Sequence, residues 1–150
     1  MTIFLDTNIV IELIEGRAFS NVIYEILDRY SKNKNIFFLS TGGFYTITYF
    51  VDRHLKQEGL KNPERLNELK EILRYILSIC DIAPLDKNGF KSILESDCFI
   101  DLEDGYQYQA ALNCKADVLI TLNKKDYMGV IDNMMIMTPT EFINKYHSPK

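Results

Sequence analysis

The stretch that most constrains the fold is Thr2-Ile3-Phe4-Leu5, which runs without a break into Asp6-Thr7-Asn8. The apolar run is short and lacks polar alternation, the pattern of a strand covered on both faces in a parallel sheet. Ile36-Phe37-Phe38-Leu39 and Asp117-Val118-Leu119-Ile120-Thr121 repeat the pattern, and a shorter run, Met134 to Met137, follows near the end. Asp6 then falls at the carboxyl end of the first strand, where open α/β sheets place their ligands. On spacing alone it fits a turn residue satisfying local N–H groups equally well. Asn8 reads as the cap of a helix with apolar positions Ile9, Val10 and Leu13.

Between these runs the apolar residues return at helical spacing. Ile23, Ile26, Leu27 and Tyr30 mark one helix; Leu66, Leu69, Leu73, Ile76 and Leu77 mark a long one. Phe90, Ile93 and Leu94 follow a cap at Asp86 or Asn88, and Phe142, Ile143 and Tyr146 close the chain. Ser40-Thr41-Gly42-Gly43 reads as a loop, and Asp81 to Leu85 as an edge strand because Pro84 cannot donate to a ladder. Phe44 to Leu55 is apolar nearly all round, which predicts a helix with surface left over for a homodimer contact. Strands alternating with helices give an α/β fold with a mainly parallel sheet, and 150 residues without a dividing linker give one domain over 1–150.

Composition excludes several classes. A formal net charge of −4 is unlike a basic nucleic-acid arm. No apolar run approaches the roughly 20 residues of a membrane span, and the first residues do not read as a signal peptide. Cys80, Cys98 and Cys114 are odd in number and lack CxxC spacing, which argues against a disulfide framework or zinc site and for a reducing cytoplasm. His54 and His147 form no nucleophile constellation.

Chemistry concentrates in three polar clusters at strand ends and helix starts: Asp6-Thr7-Asn8, Asp101 to Asp104, and Thr121 to Asp126. In a doubly wound sheet such positions converge on one rim. Carboxylates gathered there repel one another unless protonated or bridged by a cation. Oxygen-only donors suit Mg²⁺ or Mn²⁺ and phosphodiester chemistry. Asp101 and Asp104, three apart, share a helix face, whereas Glu103 is expected to point elsewhere. Taken singly, Asp101 with Asp104 fits a helix cap and its dipole partner, and Asn123 with Asp126 fits a plain turn.

Together, the strand into Asp6-Thr7-Asn8, Asp101-Leu102-Glu103-Asp104-Gly105-Tyr106-Gln107, Ile120 to Asp126 and Thr138-Pro139-Thr140-Glu141-Phe142 resemble a PIN domain. The similarity spans essentially the whole chain and is closest to small single-domain toxins of VapC type. The resemblance implies a three-layer α/β/α sandwich and a metal-dependent endoribonuclease, the toxin of a toxin–antitoxin pair. It implies Mg²⁺ or Mn²⁺ as cofactor, an RNA substrate, an antitoxin protein partner, a homodimer and a cytoplasmic location without membrane contact. It matches Asp6, Asp104, Asn123 and Asp126 to the family's catalytic and metal positions, and Thr7 and Thr121 to hydroxyls that shape the site. The family usually carries a glutamate on the helix after the second strand, and in register with Ser40 that position is Thr46. Asp101 or Glu103 then stands as a substitute acid. Gly105 replaces the usual alanine, a change that loosens a helical turn by about 1 kcal/mol. Two other readings stay open: a degenerate PIN domain that binds RNA or protein without cutting, and a phosphoryl-transfer enzyme with Asp6 as nucleophile.

Overall fold

The computed structural model describes residues 1–32, 36–130 and 133–146; His147 and most of the polar break at 31–35 lie outside them. The central strand, β1 (Thr2–Leu5), has apolar side chains on both faces because both are covered. It pairs in parallel with β2 (Ile36–Ser40) on one side and β4 (Val118–Ile120) on the other, placing Ile3 between Phe37 and Val118. The edges are β3 (Cys80–Ala83) beside β2 and β5 (Met135–Met137) beside β4, also parallel. Strand order is therefore β3-β2-β1-β4-β5. The chain moves outward from β1 to β3, then restarts on the far side of β1. That reversal puts a crevice at the carboxyl ends of β1 and β4. The α/β/α sandwich read from the sequence is the fold observed.

Strand alternation sorts the apolar residues into two cores. Ile3, Leu5, Phe37, Leu39, Val118 and Ile120 face one layer of helices. That layer contains α1 (Thr7–Ile14), α2 (Ser20–Ser31), α3 (Thr41–Gln57), α4 (Glu64–Ile79) and α7 (Pro139–Tyr146). Phe4 and Leu119 face the other layer, built on Tyr108, Ala110 and Ala111 of α6 (Leu102–Asn113) and Tyr127 of a 3-10 turn (Lys124–Tyr127). Outside α6 lies α5 (Lys87–Leu94), capped by Asp86, whose carboxylate accepts the Gly89 N–H at 2.8 Å.

Two local expectations change. Asp6 rather than Asn8 caps α1, its carboxylate accepting the Asn8 N–H. Ser40 to Gly43 is a helix start rather than a loop: the Ser40 hydroxyl accepts the Gly43 N–H at 2.8 Å. Glycine suits position 43 because a Cβ there would lie 2.7 Å from the Thr7 hydroxyl, so its absence lets α3 close on α1. In keeping with the surplus of apolar residues read from the sequence, α3 buries the stripe Gly43, Ile47, Val51 and Leu55 and leaves Tyr45 71% and Tyr49 63% exposed.

Gly105 is also a packing residue rather than a loosened turn. It is buried, and a Cβ there would come within 2.6 Å of Ile93 Cγ2 and 3.1 Å of the Phe99 ring. Helix propensity favours Gly105→Ala by about 1 kcal/mol, but overpacking typically costs about 1–3 kcal/mol. We expect a net loss of stability, seen as a lower urea midpoint at unchanged slope.

Candidate active site

Asp6 emerges from the central strand with 3% of its surface exposed. Its backbone N–H continues the ladder to Ile120 O at 2.9 Å, which fixes the residue beside the end of β4. A carboxylate buried to this extent needs donors in place of lost water. Oδ2 receives three: Thr121 Oγ1 at 2.8 Å, Tyr127 OH at 3.0 Å and Asn8 Nδ2 at 3.2 Å. Among the described residues, Oδ1 accepts only the long Asn8 N–H bond at 3.3 Å. Burial and the neighbouring Asp6 and Asp104 carboxylates push the Tyr127 phenol far above its ordinary range, so it remains a donor. Asn8 also accepts the Leu122 N–H at 3.3 Å, tying the start of α1 to the chain leaving β4.

The second acid arrives on α6. Gln107 is buried, and its carbonyl oxygen accepts both the N–H and the hydroxyl of Thr7 at 2.9 Å. Asp104 lies three residues earlier on the same helix face, so this clamp brings it towards Asp6. Burial first, then repulsion from Asp6, Asp101, Asp126 and Glu103, push the Asp104 carboxyl up to about 7. Asp101 caps α6, accepting the Glu103 N–H at 2.9 Å. Glu103 does not turn away as its spacing suggested. Burial raises its carboxyl, Asp101 and Asp6 raise it further, and a hydrogen bond with the Thr46 side chain opposes them. The approach of α3 and α6, absent from any single-helix argument, explains the difference.

A cavity of about 410 Å³ opens between Asp101 and Asp104 on one side and Lys125 and Asp126 on the other. Of the two adjacent lysines, Lys125 lines it, whereas Lys124 is held by Glu141 at 3.0 Å. The structure thus draws Asp6, Asp104 and Asp126 into one electrostatic neighbourhood, with Thr121 and Thr7 beside Asp6. The Asn123 backbone N–H donates to Thr121 Oγ1 at 3.0 Å, and Asn123 itself is exposed. Sequence reasoning missed Tyr127 and Gln107. Tyr127 carried one usable signal, an aromatic directly after Asp126; Gln107 carried its three-residue spacing from Asp104.

The donors are all oxygens and their carboxylates repel, which fits a hard divalent cation. Among the described residues no group of three or more His, Cys, Asp or Glu converges closely enough to hold an ion by itself. The set therefore fits an ion that keeps most of its water and takes one or two carboxylates.

Fold and rim together define a class: a parallel α/β/α sandwich whose acids meet at the topological switch point. A PIN domain profile matches residues 2–125, and the chain belongs to the PIN domain family. The PIN domain is a nuclease fold, and PIN nucleases typically use divalent metals. A search of curated proteins found no match. No helix among the described residues is long and apolar enough to cross a membrane.

The raised Asp104 carboxyl yields a pH prediction. Folding favours its protonated form, so its stabilising contribution is complete below the unfolded value of 3.8 and is lost as pH rises through about 7. In metal-free buffer, Asp104→Asn should melt with the wild type near pH 3.5. Above pH 7 it should gain about 1 kcal/mol, after allowing for solvent screening, or roughly 2–4 °C. An unchanged difference across that range would show that folding does not raise the Asp104 carboxyl.

Proposed function

We propose that the chain is a metal-dependent endoribonuclease hydrolysing RNA phosphodiester bonds, and the toxin of a toxin–antitoxin pair. The observation that carries this reading is the crowding of Asp104 by Asp6, Asp126, Asp101 and Glu103 at the switch point of a PIN domain. Such crowding is unfavourable for an empty fold and useful for holding a cation.

In this reading Asp6 and Asp104 hold Mg²⁺ or Mn²⁺, and Asp126 and Asn123 hold it directly or through water. A bound ion of this kind polarises a phosphoryl oxygen and makes water acidic enough to attack. The protein's own work is orientation. Thr121, Tyr127 and Asn8 all donate to Asp6 Oδ2, which leaves Oδ1 with the weaker set of bonds. Thr7, clamped by Gln107, fixes the start of α1. Lys125 stands ready for a phosphate at the cavity wall. With Thr46 at the family's glutamate position, Glu103 reaches that side chain from the opposite helix and serves as the substitute acid, with Asp101 as its support. A homodimer through the second half of α3, where Tyr49 stacks edge-on against Phe50, and an antitoxin partner in the cytoplasm complete the proposal.

One observation favours a second reading, a PIN domain that binds RNA or protein without cutting: no three metal-ligating side chains converge among the described residues. Titration calorimetry with Mn²⁺ and cleavage of a labelled single-stranded RNA separate the two. We expect Mn²⁺ binding and cleavage by the wild type, and at least a tenfold loss of metal affinity with cleavage abolished in Asp6→Asn. Robust cleavage by Asp6→Asn would sink the nuclease reading, and RNA binding without cleavage in Mn²⁺ would favour the binding module. Expression in a bacterial host should arrest growth with the wild type only.

A further inference from the structure

A second recess lies on the other side of the α6 start, a cleft of about 600 Å³ walled by Gly42 and Tyr45 of α3, Leu85, Phe90 of α5, and Glu103 and Tyr106 of α6. Phe90 and Tyr106 meet edge to face with ring centres 4.9 Å apart, which fixes both rings without a ligand. Tyr45 stands at the wall with most of its surface exposed, and Phe90 is 41% exposed. Tyr45 is thus an exposed ring beside a pair of rings already held in place.

Two observations join this cleft to the candidate active site. Glu103 lines the cleft and also feels the Asp6 carboxylate. Gln107 lines the cleft and holds Thr7, the residue after Asp6. Its charge identifies the kind of group it would take. Among the described residues Glu103 is the only charged side chain on its wall, and no lysine or arginine lines it. A phosphate therefore meets no cationic side chain there, whereas the flat face of an uncharged base has three rings to contact.

We propose that this cleft is a nucleobase subsite, which takes an unstacked base of a single-stranded RNA while the adjoining phosphodiester lies over Asp6 and Asp104. The proposal rests on the nuclease reading for the position of the phosphodiester. A base can enter only from a strand free to splay it out, so the subsite selects single strands over duplex. Base stacking tolerates any sequence, and its contribution is nearly independent of salt because no phosphate is neutralised.

Gly42 provides a clean blocking variant. A Cβ at this position would meet nothing within 4 Å, so the added side chain starts from open space at a residue that lines the cleft. Leucine is also the better helix residue, and thermal melting checks that the fold is kept. Binding is measured by fluorescence anisotropy in the cleavage-blocked Asp6→Asn background. The probes are a short labelled single-stranded oligoribonucleotide and a matched chain of abasic riboses with the same phosphates.

We expect Tyr45→Ala and Gly42→Leu each to weaken the normal strand about tenfold, within the roughly 5- to 150-fold range of one stacked base. The abasic chain should bind more weakly and respond to neither. Tyr75→Ala, an exposed aromatic on α4, should change nothing. Equal affinity for both probes, or variants that leave the normal strand untouched, would overturn the subsite. So would sedimentation showing a wild-type dimer that Tyr45→Ala dissociates at unchanged RNA affinity, since a second copy would then fill the cleft. The two readings fail separately. Wild type that binds the normal strand through Tyr45 but never cuts it with Mn²⁺ loses the nuclease reading and keeps the subsite. Cleavage indifferent to Tyr45→Ala does the reverse.

Discussion

A carboxylate at the end of a buried strand survives only where donors replace the water it has lost. At Asp6 those donors come from three separate parts of the chain: Asn8 in the first turn of α1, Thr121 at the end of β4, and Tyr127 in the turn beyond. Each bond joins Asp6 to an element whose position it also fixes. The parallel ladder from β1 to β4, the entry into α1 and the chain leaving β4 are thus tied at one carboxylate. A side chain that looks like a functional group is equally the knot of the rim.

The same rim is where the structure works against itself. Gln107 draws α6 towards α1 through Thr7, and this brings Asp104 into the field of Asp6 and Asp126. Packing of α5 and Phe99 onto Gly105 holds the first turn of α6 in that place. The helix cannot relax away from the repulsion without opening the core beneath it. Stability is spent on acids crowded at a site, a pattern characteristic of functional centres and costly in a purely structural turn.

The junction of α3 and α6 sets Glu103 beside the helix that carries Thr46. Thr46 lacks a carboxylate, and its side chain lowers the Glu103 carboxyl against the burial that raises it. Gly43 permits the approach on the α1 side, since any Cβ there would strike the Thr7 hydroxyl. The aromatic cleft lies on the outer side of this junction, and Glu103 belongs to both.

Much of this architecture was legible in the chain. Apolar runs without alternation announced parallel strands buried on both faces, because only a covered strand has no polar side to show. The positions of Asp6, Asp104 and Asp126 beside strand ends and helix starts made a shared rim predictable, since doubly wound topology brings those ends together. Periodicity could not say that Glu103 faces Thr46, that Tyr127 caps Asp6, or that Gly42 and Gly43 begin a helix. The first two depend on partners far away along the chain, and one helix's spacing carries no information about its neighbour's distance; the third turned on a local cap, the Ser40 hydroxyl on the Gly43 N–H, which the glycines disguised as a loop. The sequence by itself determined the strands, their order of use and the acids. Which donors hold each oxygen of Asp6, and which acids feel each other, was decided only by tertiary packing, because donors and repulsion act through space.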